Sequence, residues 1–427
     1  MKTKLLFFTI ALFYNSCMAQ IWTTGTNIIK PVRAGNTVGY VTNNDAWLFI
    51  VSGRGQNDVM VKSLQRYKLS TNSWDTLSPH PTGLLGGATA VLKDTIYVIC
   101  GVVNPPGIGQ NIVYKYSIHQ DTWSQAANFP YVTGDAKAVA YQDSLIYAAG
   151  GYAGPNDGTV KLYNANTNSW RSASSFPSGG RRSYGGFART GDTLIYMCGT
   201  TGFWSTNYYN TVYVGVISQT NRAVINWTTG VNFPGQTRTF FDAYTWGNKG
   251  IIMTGGSTDN TFNTHSNECY VYSPKNNAWT QLPDKPTAWL TGQSASVELP
   301  GNVWKLICAS GYKNDYLFET ELFSDTLVPT GIENKTNKNT SDIVLVQNLP
   351  NPFGTVTTIN YEIKQKGHVT LKVFDSTRKE VATVVNGKQS PGKYVVNFDG
   401  SNLPAGLYYY TLQSGQFSET KKMLIAR

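Results

Sequence analysis

Short runs of alternating apolar and polar residues fill the chain, each bounded by Gly, Pro, Asn, Asp or Ser. No long stretch repeats its apolar positions at the helical period, so the pattern predicts strands and tight turns throughout. The runs also recur at a fixed interval. Tryptophan returns at Trp22, Trp74, Trp123, Trp170, Trp227 and Trp279, with gaps of 52, 49, 47, 57 and 52 residues. Such a period means one supersecondary unit copied in series.

In four copies a tyrosine precedes the tryptophan by seven residues: Tyr67, Tyr116, Tyr163 and Tyr272. The stretch between them, as in residues 68–73 and 164–169, is polar and predicts a hairpin joining two strands. Upstream lies an apolar strand ending in a small residue plus glycine. These pairs are Ser52-Gly53, Cys100-Gly101, Gly150-Gly151, Cys198-Gly199, Gly255-Gly256 and Ser310-Gly311. Glycine at a strand end marks a bend or a close backbone approach. A further strand is opened by Pro31, Pro81, Pro130, Pro177, Pro234 or Pro286, seven to nine residues after each tryptophan.

Four strands per copy, marked in this order, resemble the kelch repeat, a four-stranded propeller blade, over residues 21–328. Two departures stand out. A full Gly-Gly doublet occurs only in the third and fifth copies, and the fourth has an insertion at 216–226 with Val214 or a neighbour in place of the tyrosine. After Trp279 come three more strands, around 292–299, 304–309 and 316–324, and no tryptophan strand follows them. Pairing the Trp22 strand into this last blade closes the ring. The expected fold is therefore all-β: a six-bladed kelch-type β-propeller closed by the N-terminal strand, followed by a small C-terminal β-sandwich. Closure removes the sheet edges that invite aggregation.

Residues 1–20 read as a signal peptide. Lys2 and Lys4 precede a short apolar run at 5–13, and cleavage is expected beside Ala19. Cys17 raises a lipoprotein alternative, which the preceding Tyr14-Asn15-Ser16 fits poorly. No other segment could cross a membrane, so no transmembrane segment is expected. The net charge of +10 is spread out: the region from Ile343 onward holds ten Lys/Arg against five Asp/Glu, and basic runs are absent. Nucleic acid is not an expected partner. Cys100, Cys198, Cys269 and Cys308 remain after export. They read either as buried small side chains or as a disulfide pair.

Composition shifts at Pro329. Residues 329–342 are polar and read as a flexible linker, and alternating strands resume over 343–427. Gln347-Asn348-Leu349-Pro350-Asn351-Pro352-Phe353 opens this module. Leu403-Pro404-Ala405-Gly406-Leu407-Tyr408 and Lys421-Lys422-Met423-Leu424-Ile425 close it. The set resembles the C-terminal sorting domain of the type IX secretion system of Bacteroidetes. The resemblance implies Sec export to the periplasm, then reading by the outer-membrane type IX machinery. Display at the cell surface or release outside would follow. Asn348, Pro350, Asn351, Pro352, Phe353, Gly406, Tyr408 and Lys422 match the sorting motif. An accessory β domain for adhesion is the alternative.

Chemistry is sparse. His80, His119, His265 and His368 stand in different repeats or in the tail, without metal-ligand spacing. His80 reads as a loop residue. No cofactor, metal set or catalytic triad is legible. The positions to watch follow the prolines, where the ring brings equivalent residues to one mouth. Arg33, Arg181, Arg182 and Arg238 lie there, with Lys137 and Asp135, and with Tyr184, Phe240, Asp242 and Trp289 close by. The arginines either hold an anionic group by forked hydrogen bonds or brace adjacent blades against loop carbonyls. The loops after each glycine, placed on the other face or rim, carry Tyr152, Phe203, Trp204, Tyr208 and Tyr312 as recognition candidates. The expected function is a secreted or surface-displayed module binding an extracellular protein or glycan. Bacterial six-bladed kelch proteins include a sialic-acid mutarotase, so the resemblance also allows a mutarotase or epimerase of acidic sugars. A structural or adhesive surface protein is the third reading.

Overall fold

The computed structural model describes residues 21–326 and 343–426, apart from gaps at 43–44, 104–107, 153–157, 178–179, 181, 203–204, 206, 260, 301, 349, 376–378 and 416. The signal peptide and linker read from the sequence lie outside the described residues. The chain divides into two compact units, one ending at Thr330 and the other beginning at Gly331.

The first unit is a propeller of six antiparallel sheets. Their innermost strands are Asn36–Val41, Ala88–Leu92, Ala136–Tyr141, Gly186–Thr190, Ala243–Trp246 and Gln293–Leu299. Each touches the next, and the last touches the first, around one axis. From each, the chain steps outward by hairpins to a fourth strand carrying the repeat tryptophan. In the sixth blade that strand is Ile21–Gly25, paired antiparallel with Thr320–Thr326 so that Trp22 stands opposite Phe323. The N-terminus closes the ring, as the repeat count predicts.

The repeat residues are the fasteners between blades. Each tryptophan donates its indole N–H to the carbonyl four residues beyond the previous tryptophan. The pairs are Trp74 to Thr26, Trp123 to Ser78, Trp170 to Ala127, Trp227 to Ser174, Trp279 to Val231 and Trp22 to Pro283, at 2.9–3.2 Å. The seven-residue spacing puts each tyrosine opposite its tryptophan across the hairpin, as in Tyr67 and Trp74. The tyrosine hydroxyls then donate to Asn72, Asp121, Asn168 and Asn277 in the turns, at 2.6–2.7 Å. Those same side-chain oxygens accept backbone N–H groups of Thr26, Ser78, Ala127 and Val231 in the neighbouring blade. The turn residues sit at φ 46–52°, a region that Asn and Asp tolerate better than other side chains. Blade four differs because Gly215 stands opposite Trp227, whose ring fills the space a Cβ would take. There the inserted hairpin takes over: Ser174 N–H donates to the Ala223 carbonyl at 3.0 Å, and Ile225 N–H donates to Ser174 Oγ at 2.9 Å.

The doublets explain their own composition. All six have both residues at positive φ, 55–78° at the first and 86–124° at the second. The second range is open in practice only to glycine, whereas the first admits Ser and Cys. The glycine N–H groups reach into the next blade: Gly53 to Leu84, Gly101 to Thr133, Gly199 to Arg238, Gly256 to Trp289 and Gly311 to Val32. Cys100, Cys198, Cys269 and Cys308 are buried free thiols, filling strand ends rather than pairing.

The second unit packs a three-stranded sheet (Ile343–Leu345, Val356–Ile363, Gly392–Asp399) and a four-stranded sheet (Glu380–Gln389, Gly367–Asp375, Gly406–Ser414, Phe417–Ile425) around one apolar core. The motif residues at its two ends form one structure. Asn351 Oδ1 accepts the Leu424 N–H at 2.8 Å. Phe353 N–H donates to the Leu424 carbonyl at 3.0 Å, and Ala426 N–H returns to Phe353 at 2.9 Å. The segment around Pro352 thus clips onto the edge of the last strand, with Phe353 buried against the core. Asn348 is buried too: its N–H donates to the Tyr410 hydroxyl, and its amide donates to the Pro350 carbonyl and to Thr357. Tyr408 is buried and donates to the Pro404 carbonyl, Gly406 starts the strand paired to the last one, and the Lys422 side chain is exposed.

Candidate functional site

Strand register decides which loops share a face. Residues just before the innermost strands bridge to residues just after the doublets: Leu85 to Val102, Ser183 to Thr200, Thr239 to Ser257 and Leu290 to Tyr312. The proline-led segments and the post-glycine loops therefore lie on one face. This corrects the sequence reading, which separated them. The reason is the first hairpin of each blade, which returns the chain to where the innermost strand began, as in Ala136 opposite Gly150.

On this face, just ahead of each innermost strand, one residue sits in the left-handed region in addition to the doublet: Ala34, Gly86, Asp135, Tyr184, Phe240 and Thr291, at φ 47–60°. Backbone bonds chain them together. Ala34 donates to Thr291, Gly86 to Ala34, Asp135 to Gly86, Phe240 to Tyr184 and Thr291 to Phe240, at 2.6–3.1 Å. The hoop leads into an axial cavity of about 230 Å³ lined by all six innermost strands. Lys137 and Asp242 form an ion pair on its wall. Nearby, the Tyr244 hydroxyl lies 3.3 Å from Thr37 Oγ1 and 3.4 Å from Ser294 Oγ.

The candidates named from sequence separate into two groups. Arg182, Arg238 and Trp289 share one repeat position with Val32, Leu84 and Thr133, two residues ahead of the hoop, and all six are buried. Arg238 donates to the Gly255 carbonyl at 3.0 Å and to Glu268 at 2.5 Å. Arg182 lies 3.5 Å from the Tyr209 ring centre and donates to the Tyr213 hydroxyl at 2.8 Å. Trp289 carries Lys285 Nζ 4.2 Å above its ring. These contacts tie each proline-led segment to its own blade or to itself, beneath the doublets. Arg181, Phe203 and Trp204 lie outside the described residues. Arg33, Tyr184 and Asp242 stand at the rim, the hoop and the channel, respectively.

Arg33 joins an arc that sequence reasoning did not assemble. Its guanidinium lies 4.6 Å from the Phe262 ring centre and 5.2 Å from that of Tyr312. It also donates to Asp58 at 2.9 Å and to the Tyr316 hydroxyl at 3.3 Å. That contact holds the Asp58 carboxyl below its ordinary range. Phe262 stacks on Phe240 at 5.3 Å, and Phe240 packs on Tyr184 at 4.6 Å. Phe262, Tyr312 and Tyr316 keep partial exposure. The loop carrying Phe262 is held by Asp259, whose Oδ1 accepts from Ser257, Thr261 and Thr264. Arg33 and Tyr316 are 283 residues apart, so only ring closure shows the contact. The signal available in sequence was limited to the aromatic content of the post-glycine loops.

Asp135 is the titratable group of the hoop. Burial pushes its carboxyl up to about 6, opposed by Lys137 and by a hydrogen bond from Tyr184. Gly86 is needed beside it, because a Cβ there would come within 2.5 Å of Asp135 Oδ1. Tyr184 is itself raised by burial and by Asp135. His80 lies in a loop, as the sequence suggests, but it is not exposed there. It is buried against Tyr114 and Trp123, and burial pushes it down to about 4, so it is neutral at neutral pH.

Comparison with known proteins fits this geometry. Residues 349–426 match the family described as Secretion system C-terminal sorting domain. The chain is a kelch-type propeller carrying a type IX sorting domain. Over 130 residues it is 26% identical to human Kelch repeat and BTB domain-containing protein 2, across 27% of this chain and 19% of that protein. Over 157 residues it is 29% identical to Kelch-like protein terF of Aspergillus terreus, across 34% of each. The chain thus spans a fifth to a third of these relatives. The solved structure of YjhT shares the fold, with a TM-score of 0.54 at 15% identity, over 69% of this chain and 95% of that one. The sorting domain directs the protein by type IX secretion to the cell surface or the extracellular space. Among the described residues, no helix is long and apolar enough to cross a membrane.

Proposed function

We propose that the propeller is an exported binding module whose recognition surface is the doublet face, and that its ligand is an extracellular glycan or protein. The arc of Arg33, Phe262, Tyr312 and Tyr316 carries this reading. Partly exposed aromatic faces beside fixed charged groups suit sugar rings, and variable loops on a rigid scaffold are common recognition surfaces. The buried arginines are already engaged, and Arg33 is paired with Asp58. The arc therefore favours neutral or mixed polar ligands over a strongly anionic one. A glycan array probed with the full chain is expected to give a defined set of hits. Phe262→Ala should weaken them at least tenfold with an unchanged melting temperature. Asp259→Ala should weaken them by releasing the loop. A silent array, together with an empty surface pull-down, would count against the reading.

A second reading rests on Asp135. A carboxyl near 6 beside a tyrosine at the channel mouth is poised for proton transfer, the chemistry of sugar anomer exchange. NMR exchange spectroscopy with sialic acid is expected to show acceleration by the chain and its loss in Asp135→Asn. A rate equal to the uncatalysed one would eliminate this enzyme. Stability supplies an independent check. The folded-state pKa is raised above 3.8, so ionising Asp135 costs stability progressively as pH rises from about 4 through 6. Asp135→Asn, which suits the left-handed backbone, should raise the melting temperature by a few degrees at pH 7.5 and change it little at pH 4.

A further inference from the structure

We propose a second binding site, at the end of the channel opposite the doublets, where Arg189 and Arg222 flank Tyr141 and take a small molecule bearing a carboxylate or phosphate. Arg189 stands on the strand Gly186–Thr190 and lines the axial cavity. Arg222 comes from the blade-four insertion. Their guanidinium carbons lie 5.5 and 5.3 Å from the Tyr141 ring centre.

The donors are incompletely used. Arg189 donates to the Ala140 carbonyl at 2.8 Å and to the Gly191 carbonyl at 2.5 Å. Arg222 donates to the Ser218 carbonyl at 3.0 Å. A guanidinium has five N–H groups, so most of theirs have no protein acceptor among the described residues. Neither forms a salt bridge among those residues, whereas Arg33 and Arg238 each hold a carboxylate. The carboxylate in this corner, Asp192, is exposed and accepts the Tyr141 hydroxyl at 2.7 Å. Two half-buried guanidinium groups against one exposed carboxylate leave a positive corner.

An oxyanion recovers the solvation these cations lose, and their planar forks match carboxylate and phosphate geometry. Tyr141 is 2% exposed, so it serves as a buried floor and recognition rests on charge. Of the three residues only Arg189 lines the axial cavity, so its volume of about 230 Å³ bounds that side of the site alone. The site is independent of the aromatic arc, which lies on the other face.

Isothermal titration of the full chain from residue 21 tests it, using glucuronate, inorganic phosphate and glucose. Saturable binding of glucuronate or phosphate is expected, weakening with added salt, and glucose should give none. Whichever anion saturates identifies the carboxylate or the phosphate as the natural group. Arg222→Gln and Arg189→Gln should each weaken binding at least tenfold. Arg222→Gln leaves intact the backbone carbonyl that accepts from the Tyr147 hydroxyl, so the fold is preserved and the melting temperature checks it. Phe262→Ala should bind the anion like the wild type. No saturable binding of either anion, unchanged affinity in both arginine variants, or equal loss in Phe262→Ala would each overturn the proposal.

Discussion

Removal of residues 21–25 is expected to abolish cooperative folding of the propeller. The strand supplies the outer edge of blade six, and without it Thr320–Thr326 becomes an unpaired edge, the kind that propagates into aggregates. It also carries the Trp22 indole, which donates to Pro283 at 2.9 Å and packs on Phe323 at 5.1 Å. Trp22→Ala keeps the backbone pairing and isolates the side chain. Truncating a buried tryptophan costs about 3–5 kcal/mol, and Trp22, being partly exposed, belongs at the low end. Trp22→Phe keeps the ring contact and loses one hydrogen bond, worth about 1 kcal/mol. Thermal melts should therefore rank wild type, Trp22→Phe and Trp22→Ala in falling order, and the deletion should show no cooperative transition. An unchanged melt for the deletion would show that the sixth blade stands without its fourth strand.

Phe353→Ala is expected to block export while leaving the propeller folded. Phe353 is 3% exposed and sits where the Pro352 segment clips the last strand. Losing a buried phenylalanine costs about 3–5 kcal/mol, a large share of the roughly 5–15 kcal/mol available to a small domain. The type IX machinery reads a folded tail on this account, so the variant should accumulate in the periplasm, as should deletion of residues 343–427. Asn351→Ala removes the acceptor of the Leu424 N–H and costs about 1 kcal/mol, which predicts slowed rather than abolished display. Protease shaving of intact cells, compared with periplasmic extracts, measures all three. Undiminished surface display of the deletion would contradict the role given to the tail.

Architecture was legible because the repeat marks are the fasteners themselves. Six tryptophans at even spacing appear in sequence as periodicity and in the fold as six equivalent indole bonds, the last made by Trp22. The substitution of Ser or Cys in the doublets was tolerable because only the second position requires glycine. The site was far less legible. Arg182, Arg238 and Trp289 follow their prolines just as rim residues would, and nothing in a single sequence says that this position faces inward. Arg33, Tyr312 and Phe262 come from blades one, six and five, and only ring closure makes them neighbours. Arg222 escaped notice because the insertion at 216–226 reads as a departure from the repeat rather than as a loop bearing a cation, and Arg189, on Gly186–Thr190, because nothing in the sequence joins it to that loop.

Ring closure is what brings Arg33 to Tyr316, and hydrogen–deuterium exchange of the segment 21–25 tests it directly. The predicted result is slow exchange of its strand-paired amides, matching that of Thr320–Thr326 and Val303–Ala309 in the same sheet. Exchange at the rate of an unstructured peptide would contradict the closed ring and, with it, the arc of residues that closure assembles.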